Sequence, residues 1–170
     1  MAGGGIRREH LNSSTTYQIQ GITVGSQERE PIEILLAEDN PGDVKLTRKA
    51  LDQGDLLNNL HVVNDGVEAM KFLKSEGEYA DTPMPDLLLL DLNMPKKDGR
   101  QVMEDMEADP ELSRIPVVVL TSSEAEEDVV RSYELSANAY LTKPVDFDGF
   151  VEIIGHLENF WFEVVKMPPK

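Results

Sequence analysis

Cysteine is absent from the 170-residue chain, which excludes a disulfide framework and a thiolate metal site. Long apolar runs are missing as well. The longest, such as Leu87–Leu90, extend four or five residues, against about 18 needed to span a bilayer, so no membrane association is expected. Arg7 and Arg8 are not followed by an apolar stretch, so the start of the chain does not read as a secretory signal and a cytoplasmic address is expected. Basic residues are scarce: 16 Lys and Arg stand against 32 Asp and Glu, a net charge of −16. Binding a phosphate backbone wants clustered Lys and Arg, so direct DNA binding is not expected.

What is present suits one domain. Hydrophobic residues make up 40% of the sequence, enough for a single core at this length. Residues 1–30 carry three basic and three acidic side chains, so the whole acidic excess lies in 31–170. Gly, Ser, Thr and Gln dominate 1–30 without a helical period, which reads as a flexible N-terminal extension or a cloning remnant. Tyr17, Ile19, Ile22 and Val24 leave only a weak strand-like trace there.

From Pro31 onward short apolar runs alternate with amphipathic stretches. Strands are expected at 32–37, 59–63, 86–90, 116–120 and 138–141, and helices near 41–53, 66–75, 99–108, 125–135 and 147–165. Such alternation predicts parallel βαβ units in an α/β, doubly wound sheet flanked by five helices. Leu87–Leu90 and Val117–Leu120 are apolar at every position, as strands covered on both faces should be. Asn40 followed by Pro41 and Asp43 marks a helix start, and Asp65 with Glu68 resembles a capping box.

In an open α/β sheet, ligands bind beyond the carboxyl ends of the strands. Strand one is followed by Glu38 and Asp39, strand three by Asp91, strand four by Thr121 and Ser122, and strand five by Thr142, Lys143 and Pro144. The fold would gather these at one edge. Two unit charges about 4 Å apart repel by roughly 4 kcal/mol at an effective dielectric near 20. Three gathered carboxylates should therefore hold a proton or a cation. Oxygen-only ligands select a hard ion, Mg²⁺ first with Mn²⁺ as the alternative. Lys143 adds a compact positive charge and Thr121 a hydroxyl donor. Together these parts fit phosphoryl transfer onto Asp91.

Glu38-Asp39-Asn40 after Leu35-Leu36-Ala37, Asp91-Leu92-Asn93-Met94-Pro95-Lys96-Lys97-Asp98-Gly99, Val119-Leu120-Thr121-Ser122-Ser123 and Tyr140-Leu141-Thr142-Lys143-Pro144 resemble the signature segments of response-regulator receiver domains. The resemblance covers about 31–165 and implies a flavodoxin-like fold with strand order 2-1-3-4-5. It implies that Asp91 is the phosphoacceptor, and that Glu38, Asp39, Asp91 and the backbone carbonyl of Asn93 hold Mg²⁺. Lys143 would pair with the phosphate, with a cis peptide to Pro144. Thr121 and Ser122 would contact the phosphate, with Thr121 as switch hydroxyl and Tyr140 as the aromatic that turns inward. Glu38-Asp39-Asn40-Pro41-Gly42-Asp43 and Phe160-Trp161-Phe162 are similar to single-domain regulators of bacterial phytochrome histidine kinases. A sensor histidine kinase is then the partner, and the chain would be a signalling phosphoprotein with no output domain rather than a turnover enzyme. A phosphorelay shuttle feeding a histidine phosphotransfer protein is the alternative.

Two other families share such a sheet. A flavodoxin-like nucleotide binder needs a phosphate-cradling loop where Glu38 and Asp39 stand, and a haloacid-dehalogenase-like phosphatase needs a second Asp where Asn93 stands. In the last helix Phe147, Phe150, Val151, Ile154, Leu157, Trp161 and Val165 form a core stripe. Ile153, Phe160 and Val164 fall on its shoulder and suggest a surface for homodimerisation on phosphorylation.

Overall fold

The computed structural model describes residues 7–11, 14–19, 22–25, 30–53, 57–122, 135 and 137–156. The chain divides into two units, 1–30 and 31–170. In the first, strands β1 (Arg7–Leu11), β2 (Ser14–Ile19) and β3 (Ile22–Gly25) pair antiparallel in the order β1-β2-β3. The strand-like trace lies on β2 and β3, with Tyr17 opposite Val24 and Ile19 opposite Ile22.

The second unit runs β4 (Ile32–Ala37), α1 (Pro41–Asp52), β5 (Asn58–Val63), α2 (Gly66–Leu73), β6 (Leu87–Asp91), α3 (Gly99–Glu107), β7 (Val117–Thr121), β8 (Ala139–Thr142) and α4 (Phe147–His156). Its five strands are all parallel, in the order β5-β4-β6-β7-β8. Counted within the unit, this is the expected 2-1-3-4-5. Residues 125–134 of the helix expected at 125–135 lie outside the described residues, as does the expected continuation of α4 to 165, and Leu135 stands in a turn. No helix among the described residues is long and apolar enough to cross a membrane.

The continuous apolar strands are explained by burial on both faces. Every residue of β6 and β7 is buried. Successive side chains point to opposite faces of a strand, so Leu88, Leu90 and Val119 join a core with Leu35, Val63 and the inner faces of α2 and α3. Leu87, Leu89, Val118 and Leu120 join a second core with Ile34, Leu36, Leu51 and Phe150. Each such aliphatic side chain contributes about 1.5–3 kcal/mol when fully buried.

Local sequence sets the helix starts. The Asn40 side chain accepts from the N–H groups of Gly42 and Asp43 at 2.9 and 3.1 Å, capping α1. Asp65 accepts from Glu68 N–H at 2.8 Å. The Glu68 carboxylate, expected to reach back to Asp65, accepts instead from the Tyr79 hydroxyl at 2.7 Å and from Lys71 at 3.3 Å. A reciprocal capping box does form at α3, where Asp98 and Gln101 each bond the other's backbone N–H. β6 begins one residue later than expected, because Asp86 pairs with Glu33 by its backbone N–H at 2.7 Å and its carboxylate at 2.9 Å.

Candidate functional site

Three strand tips meet at the carboxyl edge of the sheet. β4 ends at Ala37 and delivers Glu38, whose N–H still bonds Val63 O at 3.0 Å as though the ladder continued. β6 ends on Asp91 itself, in register with Leu120 of β7. β8 ends at Thr142, opposite Thr121, and the next residue's N–H bonds Thr121 O at 2.9 Å, which fixes Lys143 at the same rim.

Carboxylate oxygens of Glu38, Asp39 and Asp91 lie within 4.8 Å of one another. Glu38 and Asp91 are buried and Asp39 is exposed. Asn40 N–H donates to Glu38 Oε1 at 3.1 Å and Asn93 N–H donates to Asp91 Oδ1 at 3.2 Å. Lys143 Nζ stands 2.5 Å from Glu38 Oε2, 3.2 Å from Asp91 Oδ2 and 3.2 Å from Asp43 Oδ2. Glu38 Oε2 is buried, and the Lys143 ammonium is its partner in a buried ion pair.

Burial first, and then the neighbouring Asp91 charge, push the Glu38 carboxyl up against the pull of Lys143 and the Asn40 N–H. Burial also works against the Lys143 ammonium, but the carboxylates of Glu38 and Asp91 outweigh it and hold the lysine above its ordinary range. One ammonium thus faces the carboxylates of Glu38, Asp91 and Asp43, and its single charge leaves the acid group with Asp39 net negative. Such a donor set, all oxygen and partly open to solvent at Asp39, fits a hard divalent cation.

The remaining predicted residues are placed as follows. Thr121 is buried at the end of β7, and Ser122 after it is exposed. Tyr140 is half-buried on β8 and packs against the core that contains Val119. Asn93 is exposed beside Asp91. The peptide between Lys143 and Pro144 is cis. Ile153 is partly buried against the Phe150 core, while Phe160 and Val164 lie outside the described residues. Asp43 was expected only to sit in the first turn of α1; its contact with Lys143 joins residues 100 positions apart.

The loop from β6 to α3 is pinned at several points. Gly99 N–H bonds Leu92 O at 3.0 Å, Gly66 N–H bonds Lys97 O at 3.0 Å, and Lys96 pairs with Asp65 at 3.4 Å. Gly99 is required there, since a Cβ would meet Asp91 O at 2.4 Å.

Known proteins share this frame. Residues 34–155 match the family model of the response regulator receiver domain. The response regulator Rcp1 of Synechocystis is 43% identical over 145 residues, covering 85% of this chain and 99% of that protein. The phosphorylated cyanobacterial phytochrome response regulator RcpA superposes with a TM-score of 0.68 at 44% identity, covering 82% of this chain and all of that one. The Mn²⁺-bound form of Rcp1 gives a TM-score of 0.67 at 47% identity, with the same coverage. Since the match spans β4 to α4 and includes each strand tip described above, the chain belongs to the response-regulator receiver family of two-component signalling.

Proposed function

We propose that Asp91 accepts a phosphoryl group from a sensor histidine kinase of the phytochrome type, in a Mg²⁺-dependent reaction, and that Thr121 and Tyr140 convert its arrival into a changed interaction face. One observation carries the reading: the Asp91 carboxylate lies 3.2 Å from Lys143 Nζ and within 4.8 Å of the Glu38 and Asp39 oxygens. A phosphorylatable aspartate needs nearby positive charge to receive a dianion, and this one has an ammonium and a cation-binding acid pair. The kinase class is supported by the likeness to RcpA, a phytochrome response regulator.

An Asp91 oxygen attacks phosphorus while the bond from phosphorus to the donor's histidine nitrogen breaks, its electron pair leaving with the imidazole. Lys143 stands where it can pair with a phosphoryl oxygen, and the buried Thr121 hydroxyl, one strand away from Asp91, can donate to another. Glu38, Asp39, Asp91 and the carbonyl of Asn93 would hold Mg²⁺. When bound, the ion supplies charge that neutralises the transferring oxygens. Tyr140 sits across the ladder from Val119, two residues before Thr121, so a shift of the threonine is felt at the tyrosine's packing.

Incubation with acetyl phosphate and Mg²⁺, read by intact mass, tests the reading. The wild type should gain one phosphoryl increment that is lost on chelation of the metal before mixing. Asp91→Asn should gain none. An increment retained in Asp91→Asn would place the acceptor elsewhere and reject the proposal.

A further inference from the structure

Lys143 has more partners than phosphate recognition requires. Of the three carboxylates around its ammonium, Glu38 and Asp91 belong to the acid group suited to a cation, whereas Asp43 lies outside that group. Asp43 is carried on the first turn of α1, and that turn is fixed by the Asn40 side chain, which bonds Asp43 N–H at 3.1 Å. Its carboxylate is about as far from Nζ as that of Asp91, 3.2 Å in each case, but it approaches from the more open side: its side chain is 30% exposed against 7% for Asp91. A cation at the acid group would neutralise the Glu38 and Asp91 oxygens and leave Asp43 as the uncompensated anion holding the lysine.

We infer that Asp43 is a resting-state latch on Lys143, a positioning residue that competes with the incoming phosphoryl group for the ammonium and is released when Asp91 is phosphorylated. The inference rests on the reading of Asp91 as the phosphoacceptor. The exchange is one of ion pairs alone: Lys143 leaves a carboxylate for a phosphoryl oxygen, with no proton or bond transferred. Because Asp43 belongs to α1, its release also frees the start of that helix from Lys143 in the loop after β8, giving the phosphorylated state a second route to the surface besides Thr121 and Tyr140.

The test is a calorimetric titration of the full chain with beryllofluoride, an acyl-phosphate mimic, at saturating Mg²⁺ and constant ionic strength. Asp43→Asn removes the charge and keeps the acceptor shape, and Asp43→Glu keeps the charge. Asp43→Ser replaces the first variant should it fail to give a folded circular dichroism spectrum. A latch predicts tighter binding by Asp43→Asn, about fivefold for a partly exposed ion pair, with Asp43→Glu close to wild type. A parallel Mg²⁺ titration should show no gain in metal affinity, since the acid group is untouched. A residue that only stabilises the helix start would lower stability and leave beryllofluoride affinity unchanged. Equal or weaker binding by Asp43→Asn, or equal tightening in both variants, overturns the latch alone. A wild type that binds no beryllofluoride overturns the phosphoacceptor reading beneath it.

Discussion

Gly66 lies against the backbone of Lys97: its N–H donates to the Lys97 carbonyl at 3.0 Å, and a Cβ at position 66 would come within 2.1 Å of that same oxygen. This contact ties the start of α2 to the loop that carries Asn93. The loop therefore has little freedom to drift from Asp91, being closed at its other end by the Gly99–Leu92 hydrogen bond.

Gly66→Ala should be destabilising even though alanine is ordinarily favoured over glycine in a helix by about 1 kcal/mol. The overlap is with backbone rather than with a side-chain end, so the loop must move. A net loss of about 1–3 kcal/mol in urea unfolding is expected. A Mg²⁺ titration should show weakened affinity as well, since the Asn93 carbonyl moves with the loop. Unchanged affinity would mean that the clamp supports the fold without supporting the cation site.

Removal of metal gives a second expectation. Glu38 and Asp91 are buried close together and share the single charge of Lys143. A ligand bound by the native state alone at ten times its dissociation constant stabilises by about 1.4 kcal/mol. Mg²⁺ should thus raise the melting temperature, and a chelator should reverse the rise. Asp39→Ala should abolish it while leaving the metal-free melting temperature close to wild type, because Asp39 is exposed. A rise that persists in Asp39→Ala would place the cation elsewhere.

Phe150 is the anchor of α4. It is fully buried in the core that holds Leu120, Leu141 and Val145, so truncation leaves a cavity between helix and sheet. Phe150→Ala should cost about 3–5 kcal/mol, measured by urea denaturation. The same change at Phe147, which is only partly buried, should cost less.

The architecture could be read from the sequence because burial on both faces writes itself directly into composition. Leu87–Leu90 and Val117–Leu120 have no polar position to spare, and the polar residues that follow them fall at the carboxyl edge. Contacts between distant segments could not be read so. Asp43 announced itself only as an acid near a helix start, since its pairing with Lys143 depends on the residue after β8 reaching the start of α1 in space. Glu68 fitted a local capping pattern, but Tyr79, eleven residues on, offered a hydroxyl that the pattern cannot see. The Asp98–Gln101 box is a local pattern in the sequence, and the structure forms both of its hydrogen bonds.

The Tyr79–Glu68 pair makes a prediction about pH. The hydrogen bond from the Tyr79 hydroxyl, and then the one from Lys71, hold the Glu68 carboxyl below its ordinary value of 4.5. The tyrosine itself is pushed up, by burial first and then by its bond to Glu68. A carboxylate depressed in the folded state stabilises fully above its unfolded value, and that contribution disappears as pH falls through the folded value. Between neutral pH and pH below 4.5, the wild type should therefore lose a stability contribution that Tyr79→Phe largely lacks. The phenyl ring keeps the packing on Phe72, whose centroid lies 5.3 Å away, so the two proteins differ mainly in the hydroxyl. A carbon-detected titration of the Glu68 carboxyl should show its midpoint move up in Tyr79→Phe but stay below 4.5, since Lys71 remains. An unmoved midpoint would mean that Lys71, and not the tyrosine, holds the carboxylate down.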